Sequence, residues 1–252
     1  MGEASVHTLQ SKSAVITGAS NGIGLAIANA FIEAGARVLI VGRRQVEVDR
    51  ALKELGDAAQ GVALDLSDPS AAELLARASS DAFGRPDIFV ANAGIVRTGA
   101  IADVSADDFD TQFALNARGS FFAAQSMAPI LHDGGAILFT SSIVTKKLLK
   151  EHAVYAGSKA SVEAFARALA IELAPRRIRV NVLSPGPTNT RIFDQLSDGN
   201  AAALDADLST IIPLGRTGRP ADLAAAALFL ASGQASFITG VNLPVDGGLS
   251  AT

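Results

Sequence analysis

Cysteine and tryptophan are absent, methionine occurs twice and tyrosine once, and charged residues make up only 18% of the 252 residues. The lack of cysteine excludes a disulfide framework, a thiolate nucleophile and a cysteine-based zinc site. There is no basic excess either. Lysines and arginines number 21 against 25 acids, for a net charge of −4 and a pI near 5.4, which argues against a nucleic-acid footprint. No apolar run reaches the roughly 18 residues of a membrane span. No lysine-rich helix suggests a membrane surface, and residues 1–12 are polar, without the hydrophobic region of a secretory leader. Repeats, linkers and low-complexity tracts are missing too. What is left is a chain with 49% hydrophobic content, enough to bury one sizeable α/β core. The expectation is a single domain over 1–252, in the cytoplasm, with small molecules as partners.

Apolar runs alternate with helical patterns along the chain. Ser13–Ile16, Arg37–Val41, Gly61–Leu64, Ile88–Ala91, Ala136–Thr140, Ile178–Leu183 and Gly240–Val245 predict seven strands. That order predicts a doubly wound parallel sheet with helices on both faces, whose ligands bind beyond the carboxyl ends of the strands. Gly18, Asp65, Asn92, Ser142 and Pro185 each fall just after an apolar run, where such a crevice lies. The alanine-rich stretch Ala221–Ala231 has leucines at helical spacing and reads as a packed helix.

A glycine turn, Thr17-Gly-Ala-Ser-Asn-Gly-Ile-Gly24, follows the first run, and Ile23, Ala26, Ile27, Ala30 and Phe31 then recur with helical period. Strand, turn and helix in that order suit a dinucleotide pyrophosphate, because glycines let backbone N–H groups approach the phosphates at the positive end of a helix. A tight turn with no ligand is the plainer reading. The single tyrosine, Tyr155, lies four residues before Lys159 in Tyr-Ala-Gly-Ser-Lys, with Ser142 upstream. Residues at i and i+4 share a helix face, and an ammonium beside a phenol favours the phenolate, lowering a pKa of about 10. An exposed helix pair would show the same spacing.

With these motifs in place, nearly the whole chain resembles the short-chain dehydrogenase/reductase family in its single-domain form. The resemblance extends to Asn92-Ala-Gly94, Asn116 in Leu-Asn-Ala-Arg-Gly, Ser142 closing Ile-Leu-Phe-Thr-Ser-Ser, Asn181-Val-Leu-Ser-Pro-Gly186 and the tail Val245-Asp-Gly-Gly. It implies a Rossmann-type domain in which Gly18, Ser20, Asn21, Gly22, Ile23 and Gly24 hold the pyrophosphate. Asp65 and Leu66 would contact the adenine, Asn92, Ala93 and Gly94 would line the middle of the cofactor, and Pro185, Gly186, Thr188 and Thr190 would hold the nicotinamide carboxamide. Thr188 replaces a usual apolar residue. The resemblance further implies Tyr155 as proton donor, Ser142 as hydrogen-bond donor to the substrate oxygen, Lys159 on the nicotinamide ribose, and Asn116 anchoring a water that links Lys159 to solvent. A local hydrogen bond within a helix is the alternative for Asn116.

Cofactor choice is read at the end of the second strand. An acidic residue there would bind the adenosine ribose and repel a 2′-phosphate, but the chain has Gly42 followed by Arg43 and Arg44. Guanidinium groups bind phosphate, which favours NADP(H) and leaves NAD(H) possible. Surface arginines opening a helix are the alternative, and Asn21 stands where some NADP-dependent relatives carry a second basic residue. The segment 190–213 reads as a substrate cover, with Ile192, Phe193 and Leu196 as an apolar wall.

The remaining polar groups have plainer readings. His152, three residues before Tyr155, faces the substrate or opens the helix; His132 suits a helix end. Ser105 with Asp107, Asp108 and Asp110 resembles a helix cap rather than a metal cluster, and no metal is expected. Lys146, Lys147 and Lys150 read as an anion-attracting or a merely solvated loop. The expected activity is hydride transfer between NADP(H) and a free ketone or secondary alcohol. The alternatives are a 3-oxoacyl-[acyl-carrier-protein] reductase, suggested by Arg176 and opposed by Asp133, an NAD-dependent alcohol dehydrogenase, and a cofactor-bound regulatory protein. By the same resemblance, helices near 107–128 and 152–174 would pair in a homotetramer.

Overall fold

A computed structural model describes residues 8–190 and 200–252. Seven parallel strands form one sheet: β1 (Ser13–Thr17), β2 (Arg37–Gly42), β3 (Ala59–Ala63), β4 (Ile88–Ala91), β5 (Ala136–Thr140), β6 (Arg179–Pro185) and β7 (Asn242–Val245). Their spatial order is β3-β2-β1-β4-β5-β6-β7. Consecutive strands run outward from β1 in one direction and then from β4 in the other, so the order reverses between β1 and β4. In such sheets ligands bind at that switch point, outside the carboxyl ends of the strands.

Each strand has a physical reason. All five residues of β1 and of β5 are buried, as expected where helices cover both faces of a parallel sheet. Alternate side chains feed two cores. Ala14 and Ile16 join Ile27, Phe31, Leu223 and Leu230 on one side, while Val15 joins Phe89, Met127, Phe139 and Val162 on the other. β3 differs from the expected Gly61–Leu64. Ala59 and Gln60 pair with Val38 and Leu39 although they make no apolar run, because β3 is the sheet edge and only partly buried. β6 begins one residue later than expected and runs on through Pro185, and β7 starts at Asn242.

The helices are α1 (Gly22–Glu33), α2 (Gln45–Leu55), α3 (Ala71–Phe83), α4 (Ala106–Phe113), α5 (Ser120–Met127), α6 (Ala153–Glu172), α7 (Ala201–Ile211) and α8 (Pro220–Ala231). Helix α8 is the packed helix expected at 221–231; Pro220 opens it, and Asp222 accepts from the backbone of Arg219 at 2.7 Å. Ser105 caps α4 by accepting from the Asp108 N–H at 3.1 Å, so the acidic group is a helix start. The long helix expected near 107–128 is interrupted, since Ala114–Gly119 forms a π-helical turn between α4 and α5. π turns are rare and frequent at functional sites, and Asn116 sits inside this one. Ile192, Phe193 and Leu196 lie outside the described residues.

Candidate functional site

The glycine turn closes the switch point. Gly18 has a φ of +64°, a conformation that costs a side-chain-bearing residue free energy. Gly24 has no room for a side chain: a Cβ there would lie 2.4 Å from the Gly18 carbonyl oxygen and 2.6 Å from Asn92 Nδ2. Helix α1 begins after Asn21, whose side chain makes no cap, and has no acid in its first turn. Its leading N–H groups therefore face the turn without a side-chain acceptor, the arrangement that receives a phosphate. Thr190 lies over this turn, since a Cβ on Gly22 would meet its Cγ2 at 3.5 Å. These residues fit a dinucleotide pyrophosphate.

Asn92 ties the turn to the strands. Its Nδ2 donates to the carbonyls of Thr17 and Gly18, each at 3.1 Å, and its Oδ1 accepts from the Thr140 hydroxyl at 3.1 Å. Thr17, buried at the end of β1, accepts through Oγ1 from the N–H groups of Asn92 and Ala93 at 3.0 and 3.1 Å. Thr17 and Thr140 were not singled out from the sequence. The available signal was a hydroxyl closing each of two otherwise apolar strands.

Tyr155, Lys159 and Ser142 converge at the carboxyl end of β5. Tyr155 and Lys159 lie one turn apart on α6, and Lys159 Nζ stands 6.0 Å from the centre of the Tyr155 ring. Lys159 is 4% exposed, and its ammonium donates to the Thr140 carbonyl at 2.9 Å. Burial disfavours its charged form and brings its pKa down to about 8. Burial also raises the Tyr155 phenol, opposed by a hydrogen bond from Ser142. The expected depression of the phenol by Lys159 is therefore corrected for the free chain: here the residue opposing the rise is Ser142, and the ammonium is turned to the Thr140 carbonyl. Ser142 Oγ accepts from the Val144 N–H at 3.3 Å, which leaves the hydroxyl proton available to a group in front of it.

Asn116 is fully buried and does not bond locally. Its Oδ1 accepts from the Ile95 N–H at 2.8 Å, and its Nδ2 donates to the Ile95 carbonyl at 2.8 Å and to Ser158 Oγ at 3.1 Å. A Cβ on Gly94 would lie 3.1 Å from Lys159 Nζ and 3.2 Å from Asn116 Oδ1, so both groups flank Gly94.

Other expected residues sit around this centre. Ser20 is buried in the glycine turn, Ile23 packs against the core below it, and Leu66 is buried near the end of β3. Asp65 accepts from the N–H and hydroxyl of Ser67 at 3.0 and 2.7 Å. Gly186 leads into Thr188, whose hydroxyl donates back to the Gly186 carbonyl at 2.8 Å. Pro185 ends β6 rather than following it. His152 Nδ1 lies 2.7 Å from the Lys150 carbonyl, and its ring meets that of Tyr155 edge-on at 6.5 Å. Arg43 is exposed at the end of β2, whereas Arg44 pairs with Glu47. Lys147 is not merely solvated: it donates to the carbonyl and hydroxyl oxygens of Thr252 at 3.1 and 2.8 Å. Among the described residues no group of acids and histidines could hold a metal ion, and no helix is long and apolar enough to cross a membrane.

This arrangement has counterparts in known proteins. The family model described as "Enoyl-(Acyl carrier protein) reductase" matches residues 18–250. Versicolorin reductase of Emericella nidulans is 37% identical over 255 residues, covering 96% of this chain and 97% of its own. Among solved structures, a double mutant of a Serratia marcescens short-chain dehydrogenase/reductase superposes with a TM-score of 0.90 at 32% identity, covering 97% of this chain and all of its own. A 3-ketoacyl-(acyl-carrier-protein) reductase from Brucella melitensis, complexed with NADH, gives a TM-score of 0.88 at 37% identity, with 96% and 99% covered. The family match and these likenesses run along almost the full length of the chain, and the chain belongs to the short-chain dehydrogenase/reductase family of oxidoreductases.

Proposed function

We propose that the protein interconverts a ketone and a secondary alcohol with NADP(H), Tyr155 giving or taking the proton at the substrate oxygen. The observation that carries this reading is the convergence of buried Lys159 with half-buried Ser142 and Tyr155 beside the glycine turn. A bound nicotinamide nucleotide would supply or accept the hydride at the carbonyl carbon. The chain's own residues do the rest. Ser142, whose hydroxyl proton is directed at the Tyr155 phenol, would turn that proton to the substrate oxygen and stabilise the charge that develops there. Tyr155, its phenol pushed upward by burial, donates to the same oxygen as general acid.

Lys159 uses one of its three donors on Thr140. The others are available to ribose hydroxyls and, in that position, to the electrostatics of the phenol. The second lone pair of Asn116 Oδ1, beside Gly94, would hold the water that relays a proton from Lys159 to solvent.

Two observations bear on cofactor and substrate. At Gly42 a Cβ would lie 2.9 Å from Val48 Cγ2 and 3.1 Å from Ser20 Oγ, so an acidic side chain that would select NAD has little room, and the exposure of Arg43 supports a contact with a 2′-phosphate. Arg44, engaged by Glu47, is the weaker candidate. Arg176, the residue shared with carrier-protein reductases, donates to Asp133 at 2.9 Å and to the carbonyls of Ala128 and Leu131, both at 2.6 Å. It is spent inside the fold, which favours a free ketone over a carrier-bound one. A groove of about 900 Å³ on the outer face of α4, the π turn, α5 and α6, lined by Phe113, Phe121, Phe122 and Phe165, supports assembly of copies through these helices rather than substrate binding.

With a panel of aliphatic, aryl and 3-oxoacyl ketones, followed by the ultraviolet absorbance of reduced nicotinamide, turnover is expected with NADPH and a loss of about 10²–10⁴-fold in kcat with Tyr155→Phe. Undiminished turnover in that variant would remove Tyr155 from the mechanism. Arg43→Asp should raise the KM for NADPH at least tenfold and leave NADH use little changed; an unaltered KM for NADPH would speak for NAD-linked chemistry. Lys159 supplies a stability test. Because burial lowers its folded value to about 8 from the ordinary 10.5, the unfolded chain binds the extra proton between those values. Its contribution to stability therefore rises as pH rises through that window. Urea unfolding at pH about 7 and about 9.5 should show wild type gaining on Lys159→Met, and a pH-independent difference would contradict the buried ammonium.

A further inference from the structure

Glu163 continues the face of α6 that carries Tyr155 and Lys159, one further turn along. Its Oε1 accepts from the Ser141 hydroxyl at 2.8 Å and from the Thr145 hydroxyl at 2.6 Å. These two residues bracket Ser142. Each hydroxyl has a second acceptor in reach, the Lys159 carbonyl at 3.3 Å for Ser141 and the Ser142 carbonyl at 3.0 Å for Thr145. A hydroxyl carries one proton, and bonds to a carboxylate are shorter and stronger than bonds to a neutral carbonyl. Both protons therefore go to Glu163.

We propose that Glu163 is a positioning residue for Ser142, its carboxylate gripping the hydroxyls on either side so that the Ser142 hydroxyl meets Tyr155 and the substrate oxygen in a fixed geometry. The inference rests on the role of Ser142 proposed above. Ser142 itself sits in extended backbone, φ −163° and ψ 151°, at a strand-to-turn junction that no regular ladder constrains on its far side. Sub-ångström placement of a donor matters for catalysis, and the two-sided grip supplies it. With the carboxylate gone, the Thr145 hydroxyl turns to the Ser142 carbonyl and the Ser141 hydroxyl to α6. The loop keeps hydrogen bonds but relaxes around Ser142, so the effect falls on alignment rather than on folding.

Tyr155 is the sole tyrosine, so protein labelled with ¹³C at the hydroxyl-bearing tyrosine carbon gives one resonance that reports the phenol and needs no substrate. Ser142→Ala is expected to displace it. Glu163→Ala should displace it in the same direction, and adding Glu163→Ala to Ser142→Ala should produce no further shift. A Glu163→Ala protein with the wild-type resonance, or with an equal shift in both backgrounds, would overturn the inference while leaving Ser142 in place. A resonance unmoved by Ser142→Ala would instead overturn the Ser142 role, and the inference with it. Should Glu163→Ala fail to fold, Thr145→Val removes one arm of the grip with the carboxylate intact. It is expected to shift the resonance part of the way towards its Ser142→Ala position, and no shift would overturn the proposal.

Discussion

The hydrogen bond from the buried Lys159 ammonium to the Thr140 carbonyl is the interaction on which the site depends. An ammonium that is 4% exposed is costly unless its protons find acceptors, and a carbonyl at the end of a central strand is an acceptor whose own position is set by the sheet. The bond fixes the second turn of α6 against the end of β5. Tyr155 is placed from one side of that junction and Ser142 from the other. Through the Thr140 hydroxyl the same residue reaches Asn92, and through Asn92 the carbonyls of Thr17 and Gly18. A continuous polar chain thus runs from the glycine turn to Lys159, across the switch point of the sheet.

That chain ties the ends of β1, β4 and β5 together across the crevice. Every buried polar group along it has a partner, and leaving one unpaired costs about 1–3 kcal/mol. Asn116 repeats the principle from below. By bonding both backbone groups of Ile95 and the hydroxyl of Ser158, it holds the segment after β4 against α6, and the helix that carries it winds through a π turn at that point. Glu163 repeats it from above, around Ser142. Burial acts on both titratable groups of this cluster, raising the Tyr155 phenol and lowering the Lys159 ammonium.

The architecture was legible in the sequence because apolar runs and helical periods are local signals. Seven strands, the glycine turn and the Ser105 cap could be read directly, and Tyr155, Lys159 and Ser142 come together as their spacing and family resemblance imply. Edge strand β3 was misplaced by two residues because Ala59 and Gln60 owe their extended form to pairing with β2, which no local pattern announces. Asn116 was marked by the resemblance, but its partners lie on Ile95, in a loop 21 residues earlier, and on Ser158 of α6, which no local pattern announces. Thr17, Thr140 and Glu163 escaped notice for the same reason, each being defined by a partner on another element. The phenol's rise in the free chain follows from desolvation, which spacing does not reveal.

Titrating the phenol of Tyr155 tests this account most directly, since one tyrosine and no tryptophan make the signal unambiguous. In the free protein the account places its pKa above the ordinary phenol value of about 10, and Lys159→Met should leave it raised, because burial rather than the ammonium sets it there. Saturating oxidised cofactor should then bring it down in wild type and not in Lys159→Met. A phenol that titrates at or below the ordinary value in the free chain, or that ignores the cofactor, would contradict the claim that burial and Lys159 together set the acid of this site.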